Sequence, residues 1–247
     1  MITKKSLQEK EYNYPYHYNS LITPHSDIPY QLLIEYLIRK ILRYNFNMVA
    51  DVGCGDGFLI YKLKKYKKCI EGYDFSSKAI SLAKALNPNI NFYNHDITES
   101  PLKKKYDILI LQDVIEHIDP FKLKHTIKNL YLSLNKGGRI FLTVPTKIKK
   151  ISEKHYKHYN LEDIKTVFKN FEIESYTYHY SKNKCKNFWY KIFLWLSDCT
   201  IRPDIFKYGI YKKILIFTKK YYQYNIFKSN PVNGRKLFIL LQKVNSD

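Results

Sequence analysis

The stretch Val49-Ala50-Asp51-Val52-Gly53-Cys54-Gly55-Asp56-Gly57-Phe58 decides the fold. An apolar run, Met48–Val52, stops at three closely spaced glycines, and a helical stretch near 57–66 follows. A strand that turns into a helix through glycines lets the backbone approach a ligand with no side chain in the way. The spacing is G-x-G-x-G. A dinucleotide fingerprint would read G-x-G-x-x-G, and Phe58 stands where its third glycine would be. Asp51 and Asp56 lie in the loop, and two carboxylates there repel a pyrophosphate. They suit a ligand that carries an ammonium and a sulfonium group.

The alternation continues outward from this turn. Short apolar runs at Cys69–Tyr73, Ile90–Tyr93, Tyr106–Leu111 and Arg139–Val144 predict strands. Apolar spacing predicts helices near 76–86, 120–134 and 160–170, and another from Ile28 to Tyr44 on Leu32, Leu33, Tyr36, Leu37 and Leu42. Ser76 is placed to cap the helix near 76–86, and Asn135 with Gly137-Gly138 to end the one near 120–134. Strands alternating with helices make an α/β fold, a mostly parallel sheet with helices on both faces. After the fifth strand the rhythm changes. Phe171–Tyr180 and Arg235–Val244 read as two more strands, separated by about 50 residues, too many for a bare loop. The expected organisation is an N-terminal arm and helix (1–46) serving as lid and acceptor side, a core (47–181), a helical insertion (182–232) and the last core strand (233–247). Within the insertion, Asn187–Ser197 is the clearest helix.

The chain has 247 residues, 45% hydrophobic and 26% charged, which excludes wholesale disorder. No apolar run reaches the ~18 residues of a bilayer span, and Met1–Lys10 lacks the apolar stretch of a signal peptide. Cys54, Cys69, Cys185 and Cys199 form no C-x-x-C pair, which argues against structural zinc and a disulfide framework. A cytoplasmic protein, peripheral to the inner face of the membrane at most, is therefore expected. The formal net charge is +20, yet only five of the 42 basic residues are Arg, the better phosphate reader. Residues 147–247 carry a net +13, against +7 for residues 1–146. Two readings of that excess stand: lysine accumulated on solvated faces, or a basic surface that attracts an anionic substrate or membrane.

Two more acids follow the loop at strand ends. Asp74 sits in Gly72-Tyr73-Asp74-Phe75-Ser76, and Asp96 in Asn94-His95-Asp96-Ile97. With the glycine loop, these residues resemble the class I S-adenosylmethionine-dependent methyltransferases over about Met48 to Val144. The resemblance implies a Rossmann-like, seven-stranded, mostly parallel sheet, with S-adenosyl-L-methionine as cofactor and S-adenosyl-L-homocysteine as product. It implies a cofactor-binding set of Asp51, Gly53, Cys54, Gly55, Gly57, Asp74, Phe75, Asp96, Ile97 and Gln112. In that set Asp74 bonds the ribose hydroxyls, Asp96 accepts from the adenine amino group, and the Ile97 N–H bonds a ring nitrogen.

Gln112-Asp113-Val114-Ile115-Glu116-His117-Ile118 resembles the E-x-x-E-H motif of ubiquinone-pathway O-methyltransferases and small-RNA 2′-O-methyltransferases. Those families use the acids and the histidine to bind a divalent metal that polarises an acceptor hydroxyl. Asp113, Glu116 and His117 are accordingly the metal candidates, for magnesium, manganese or zinc. The competing readings make His117 an acid/base group, or make Glu116 and His117 a helix cap. His155-Tyr156-Lys157-His158-Tyr159 resembles the H-Y-x-H-[FY] segment that many bacterial methyltransferases hold over the active site. His155 and His158 are candidates for proton removal or for completing a metal shell, against the reading of an ordinary surface pair. Tyr14, Tyr16, His17, Tyr18 and Tyr159 are the candidate acceptor contacts, with Tyr14–Tyr18 either a packed arm or a lid. Neither a [DN]-P-P-[YF] motif nor a K-D-K-E tetrad is visible, which moves nucleic acid to second place. The expected function is methyl transfer to an oxygen of a small molecule or a surface-polysaccharide (capsule) precursor, with a phosphate-bearing acceptor included. The alternatives are a tRNA or RNA methyltransferase using the basic last third, and a non-catalytic module docking on anionic membrane through Phe188–Leu196.

Overall fold

The computed structural model describes residues 3–22, 28–66, 69–181, 216, 219–220 and 229–244. Seven strands form one sheet in the order β3-β2-β1-β4-β5-β7-β6. They are β1 (Met48–Val52), β2 (Cys69–Asp74), β3 (Asn91–Asn94), β4 (Tyr106–Gln112), β5 (Leu134–Pro145), β6 (Phe171–Ser181) and β7 (Gly234–Lys243). The first five pair in parallel, and β7 runs antiparallel between β5 and β6. This is the Rossmann-like sheet of the class I methyltransferase fold.

Period-two alternation divides the strand side chains between two cores. Ala50, Val52, Leu109, Leu111, Ile140, Leu142, Leu237 and Ile239 face one side, where helices α6 (Pro120–Leu132) and α7 (Leu161–Val167) cover them with Leu123, Ile127, Leu130 and Ile164. Val49, Ile70, Ile108, Ile110, Phe141, Phe238 and Leu240 face the other. There α3 (Ile28–Ile41), α4 (Phe58–Leu63) and α5 (Ser77–Leu86) supply Ile34, Leu37, Ile41, Leu59, Ile60 and Ile80. Strand order reverses between β1 and β4, and a parallel sheet opens its crevice at the carboxyl ends of the strands on either side of such a reversal.

Two local expectations are corrected. The third predicted core helix, α6, stops at Leu132 with Ser133 as its cap, so Asn135, Gly137 and Gly138 belong to β5. The register of β5 against β4 jumps between Tyr106 and Ile108, so the glycines serve an irregular strand entry. The helix predicted over 57–66 is α only to Leu63 and closes as a 3-10 turn over Lys64–Tyr66. Ser76 does cap α5, its Oγ accepting from the Ala79 N–H at 3.2 Å. Most of the proposed insertion, including Asn187–Ser197 and Phe188–Leu196, lies outside the described residues. Among those described, no helix is long and apolar enough to cross a membrane.

Before the sheet the chain forms an arm: α1 (Lys4–Glu9), a 3-10 turn over Lys10–Asn13, another over Tyr16–Tyr18, and α2 (Asn19–Ile22). No core of its own supports α1, which buries no residue. Polar contacts to the sheet's carboxyl edge and the buried rings of Tyr12 and Tyr18 hold the arm down. Lys5 bonds Asp96, Ser76 Oγ donates to Glu9 at 3.2 Å, and Lys154 Nζ donates to both Glu11 oxygens at 2.7 Å.

Candidate active site

The arm roofs a cavity of about 590 Å³ at the carboxyl ends of β1, β2 and β4. One end is built from the glycine loop. Gly53 (φ 78°) and Gly55 (φ 55°) adopt left-handed backbone, and a Cβ on either would stand 2.6 Å from Val114 Cγ2 or 2.7 Å from the Tyr12 hydroxyl. The loop amides are spent within the protein. Those of Gly53 and Cys54 donate to the Tyr73 carbonyl at 2.7 and 3.0 Å, and that of Gly55 to Asp74 at 2.9 Å. The glycines therefore serve close packing and turn geometry, and the charge facing the cavity is that of the carboxylates.

Asp51, at the end of β1, is buried, and no hydrogen bond from the described residues reaches its carboxylate. Burial, with Asp74 nearby, pushes its carboxyl up to about 8. Burial also raises Asp74 to about 6, against the pull of the Ser76 and Gly55 amides. A cationic, ribose-bearing ligand would relieve both groups, and the residues present fit S-adenosylmethionine. Cys54, Phe75, Asp96, Ile97 and Gln112 also line the cavity. Gly57 does not; at φ 79° a Cβ on it would stand 3.1 Å from Ala83, Asn87 and Phe92, behind the loop. Asp56 is buried too, but it is occupied by the arm, accepting from the His17 amide at 3.2 Å and facing His17 Nδ1 at 3.0 Å.

The other end follows β4. Asp113 sits at φ 57°, unusual for a residue with a side chain. Its carboxylate accepts from Thr143 Oγ1 at 3.1 Å and pairs with Lys236. The next turn, Ile115–His117, carries Glu116 into the interior, where Oε2 has no hydrogen-bond partner among the described residues. Burial first and Asp113 second hold the Glu116 carboxyl well above the usual carboxylate range. Ligand atoms of Glu116, His117 and His155 lie within 4.8 Å of one another. The His117 and His155 rings meet edge to face at 4.6 Å. Burial pushes His117 down to about 4, helped by Lys154, and His155 down to about 3, helped by His117. Both rings are therefore neutral near pH 7. A buried carboxyl group with an orphaned oxygen beside two neutral imidazoles is a donor set that fits a divalent cation, whose charge would favour loss of the Glu116 proton. Asp113 is not in the cluster because Lys236 and Thr143 claim it, and His155 supplies the third donor.

The remaining sequence candidates divide. Tyr16 and His17 line the cavity. Tyr14 is exposed, Tyr18 is buried behind the loop with the Asn87 amide donating to its hydroxyl at 2.9 Å, and Tyr159 is buried in the core with its hydroxyl donating to the Ile115 carbonyl at 3.3 Å. These three lie off the cavity because their rings complete the core or face solvent. His158 is buried one step behind His155. Sequence reasoning missed Lys5, Tyr12, Tyr30, Lys149 and Lys236, all of which line the cavity. Tyr12 belongs to an aromatic cluster visible in the sequence; nothing local marks the others.

Residues 49–138 match the family model of a methyltransferase domain. The tRNA U34 carboxymethyltransferase of Campylobacter fetus is 32% identical over 112 residues, covering 42% of this chain and 39% of that protein. The ubiquinone biosynthesis O-methyltransferase of Coxiella burnetii is 34% identical over 102 residues, covering 38% and 42%. The chain spans about two fifths of the length of these curated relatives. Among solved structures, the N-methyltransferase NodS of Bradyrhizobium japonicum, bound to S-adenosyl-L-homocysteine, aligns at TM-score 0.66 and 13% identity over 99% of this chain and 100% of that one. A SAM-dependent methyltransferase of Archaeoglobus fulgidus aligns at 0.59 and 16% identity, covering 93% and 100%. The protein has the class I methyltransferase fold, and residues 49–138 match a methyltransferase domain.

Proposed function

We propose that this protein is a methyltransferase that moves a methyl group from S-adenosyl-L-methionine to an oxygen of a small acceptor, with a surface-polysaccharide precursor as the leading class and phosphate-bearing acceptors included. The observation that carries the reading is one roofed cavity with buried, cation-seeking carboxyl groups at one end and a cluster of one carboxyl group and two neutral imidazoles at the other. When bound, the donor supplies an electrophilic methyl on sulfur. Asp51 would answer its ammonium, Asp74 its ribose, and Asp96 with Ile97 its adenine. Tyr12, Tyr16 and Tyr30 exclude water from the space between the ends. His117 and His155, neutral at pH 7, can take the acceptor's proton. With Glu116 they would hold a divalent metal, which would lower the pKa of a bound hydroxyl. Lys149 lines the acceptor side with no ion pair among the described residues and favours an anionic acceptor, while Lys154 and Lys236 are paired with Glu11 and Asp113.

A second reading, an RNA acceptor, draws on the likeness to the tRNA-modifying relative and on the basic last third. It requires the arm to lift, since a polynucleotide is larger than the roofed cavity. Turnover assays separate the readings. Methyl transfer to sugar or sugar-phosphate hydroxyls, lost with EDTA and restored by magnesium or manganese, is expected. Transfer to tRNA, with affinity falling steeply as salt rises, would replace the small-acceptor reading. Transfer unaffected by chelation would remove the metal from it.

A further inference from the structure

The His155–His158 pair is more ordered than proton removal requires. His158 Nδ1 lies 2.9 Å from the Lys149 carbonyl oxygen, and the Thr146 backbone also faces the ring. A carbonyl oxygen only accepts, so His158 Nδ1 carries a hydrogen. In a neutral ring Nε2 is then bare, and it stands 2.7 Å from His155 Nδ1. That distance is a hydrogen bond only if His155 Nδ1 carries the proton, which leaves His155 Nε2 as a lone pair. His155 lines the cavity, and Nε2 is its only nitrogen left for it. His117 is set in the same way, its Nδ1 3.3 Å from the Lys154 carbonyl.

We propose that His158 is a positioning residue. Held by the Lys149 carbonyl, it locks His155 in the Nδ1–H tautomer, so that the bare Nε2 atoms of His155 and His117 stand with the Glu116 carboxyl in one cluster, within 4.8 Å of one another. A carbonyl–histidine–histidine chain does here what a single carbonyl does for His117. Outer-shell partners of this kind fix the tautomer and aim of a ligating imidazole. The inference rests on the metal-holding reading above only for its consequence, not for its geometry.

Two measurements on the full-length chain test it. Long-range proton–nitrogen spectra of metal-free protein at pH 7 report imidazole tautomers directly. The expected result is Nδ1–H for both His155 and His158, with His155 shifting toward Nε2–H in His158→Phe. An Nε2–H His155 in the unmutated chain, or no shift in His158→Phe, overturns the lock. Cobalt(II) titration followed by its absorption bands reads the consequence. His158→Phe should weaken cobalt binding about ten- to a hundred-fold. His158→Gln, whose side-chain oxygen can stand in for Nε2, should recover most of it. Equal cobalt affinity in all three proteins contradicts the positioning role. An Nδ1–H tautomer in a chain that binds no cobalt upholds the lock and sinks the metal reading alone.

Discussion

Asp51 is the residue on which the proposed cofactor recognition turns. With its carboxyl raised to about 8, the folded chain binds more protons than the unfolded one from roughly pH 4 to 8, so ionising Asp51 costs stability as pH rises. His117 and His155 act in the opposite sense, being neutral when folded and protonated below about 6.5 when unfolded, so their contribution grows as pH rises from about 4 to 6.5. Unfolded histidine is half protonated at 6.5 and its effect fades by about pH 7.5, so above 6.5 the carboxyl effect of these groups is the larger. The thermal midpoint of the ligand-free chain should therefore fall between pH 6.5 and 8. Saturating S-adenosylhomocysteine, whose ammonium favours the Asp51 carboxylate, should flatten that fall and should bind more tightly at pH 8 than at 6.5. Scanning calorimetry at the two pH values, with and without ligand, checks both signs. Gly53 offers a second test. Gly53→Ala adds a Cβ 2.6 Å from Val114 in left-handed backbone, which itself costs about 1–2 kcal/mol. Denaturant unfolding should show at least that loss, with weaker cofactor binding.

At the scale of elements, α6 begins at the rim of the cavity with Asp119 as its cap, accepting from the Phe121 amide at 2.9 Å. Asp119→Ala should lower stability by about 1 kcal/mol in urea unfolding. The arm is a different kind of element, anchored by the buried Tyr12 and Tyr18 rings and held at its edge by polar contacts. Its ion pairs are partly exposed, and breaking one, as in Glu11→Gln, should cost only about 0.2–1 kcal/mol. The effect should appear instead as faster release of S-adenosylhomocysteine in stopped-flow measurements, because Lys154 ties the arm to the loop that carries His155. Unchanged release would mean the arm does not close the cavity. The strands and most helices were legible in the sequence because burial imposes periods of 2 and 3.6 on apolar residues. The Gly137-Gly138 pair misled because glycine marks both a helix end and an irregular strand entry. Lys5 on Asp96 joins residues 91 apart, and no local pattern encodes such a contact.

For the whole molecule, strand order places the loop after β1 and the turn after β4 side by side, and the arm covers both. The cofactor end was readable because glycines and acids recur at fixed places along the fold. The acceptor end was readable only by residue type. Glu116, His117 and His155 could be named, but that Lys236 from the last strand claims Asp113 follows from the antiparallel placement of β7. Binding of the donor's product to this cavity underlies every step proposed. Isothermal titration of the full-length chain with S-adenosylhomocysteine, and in parallel with NAD, tests it most directly. Saturable one-to-one heat with the first and none with the second is the expected result. No heat with S-adenosylhomocysteine, or saturation by NAD, would contradict it.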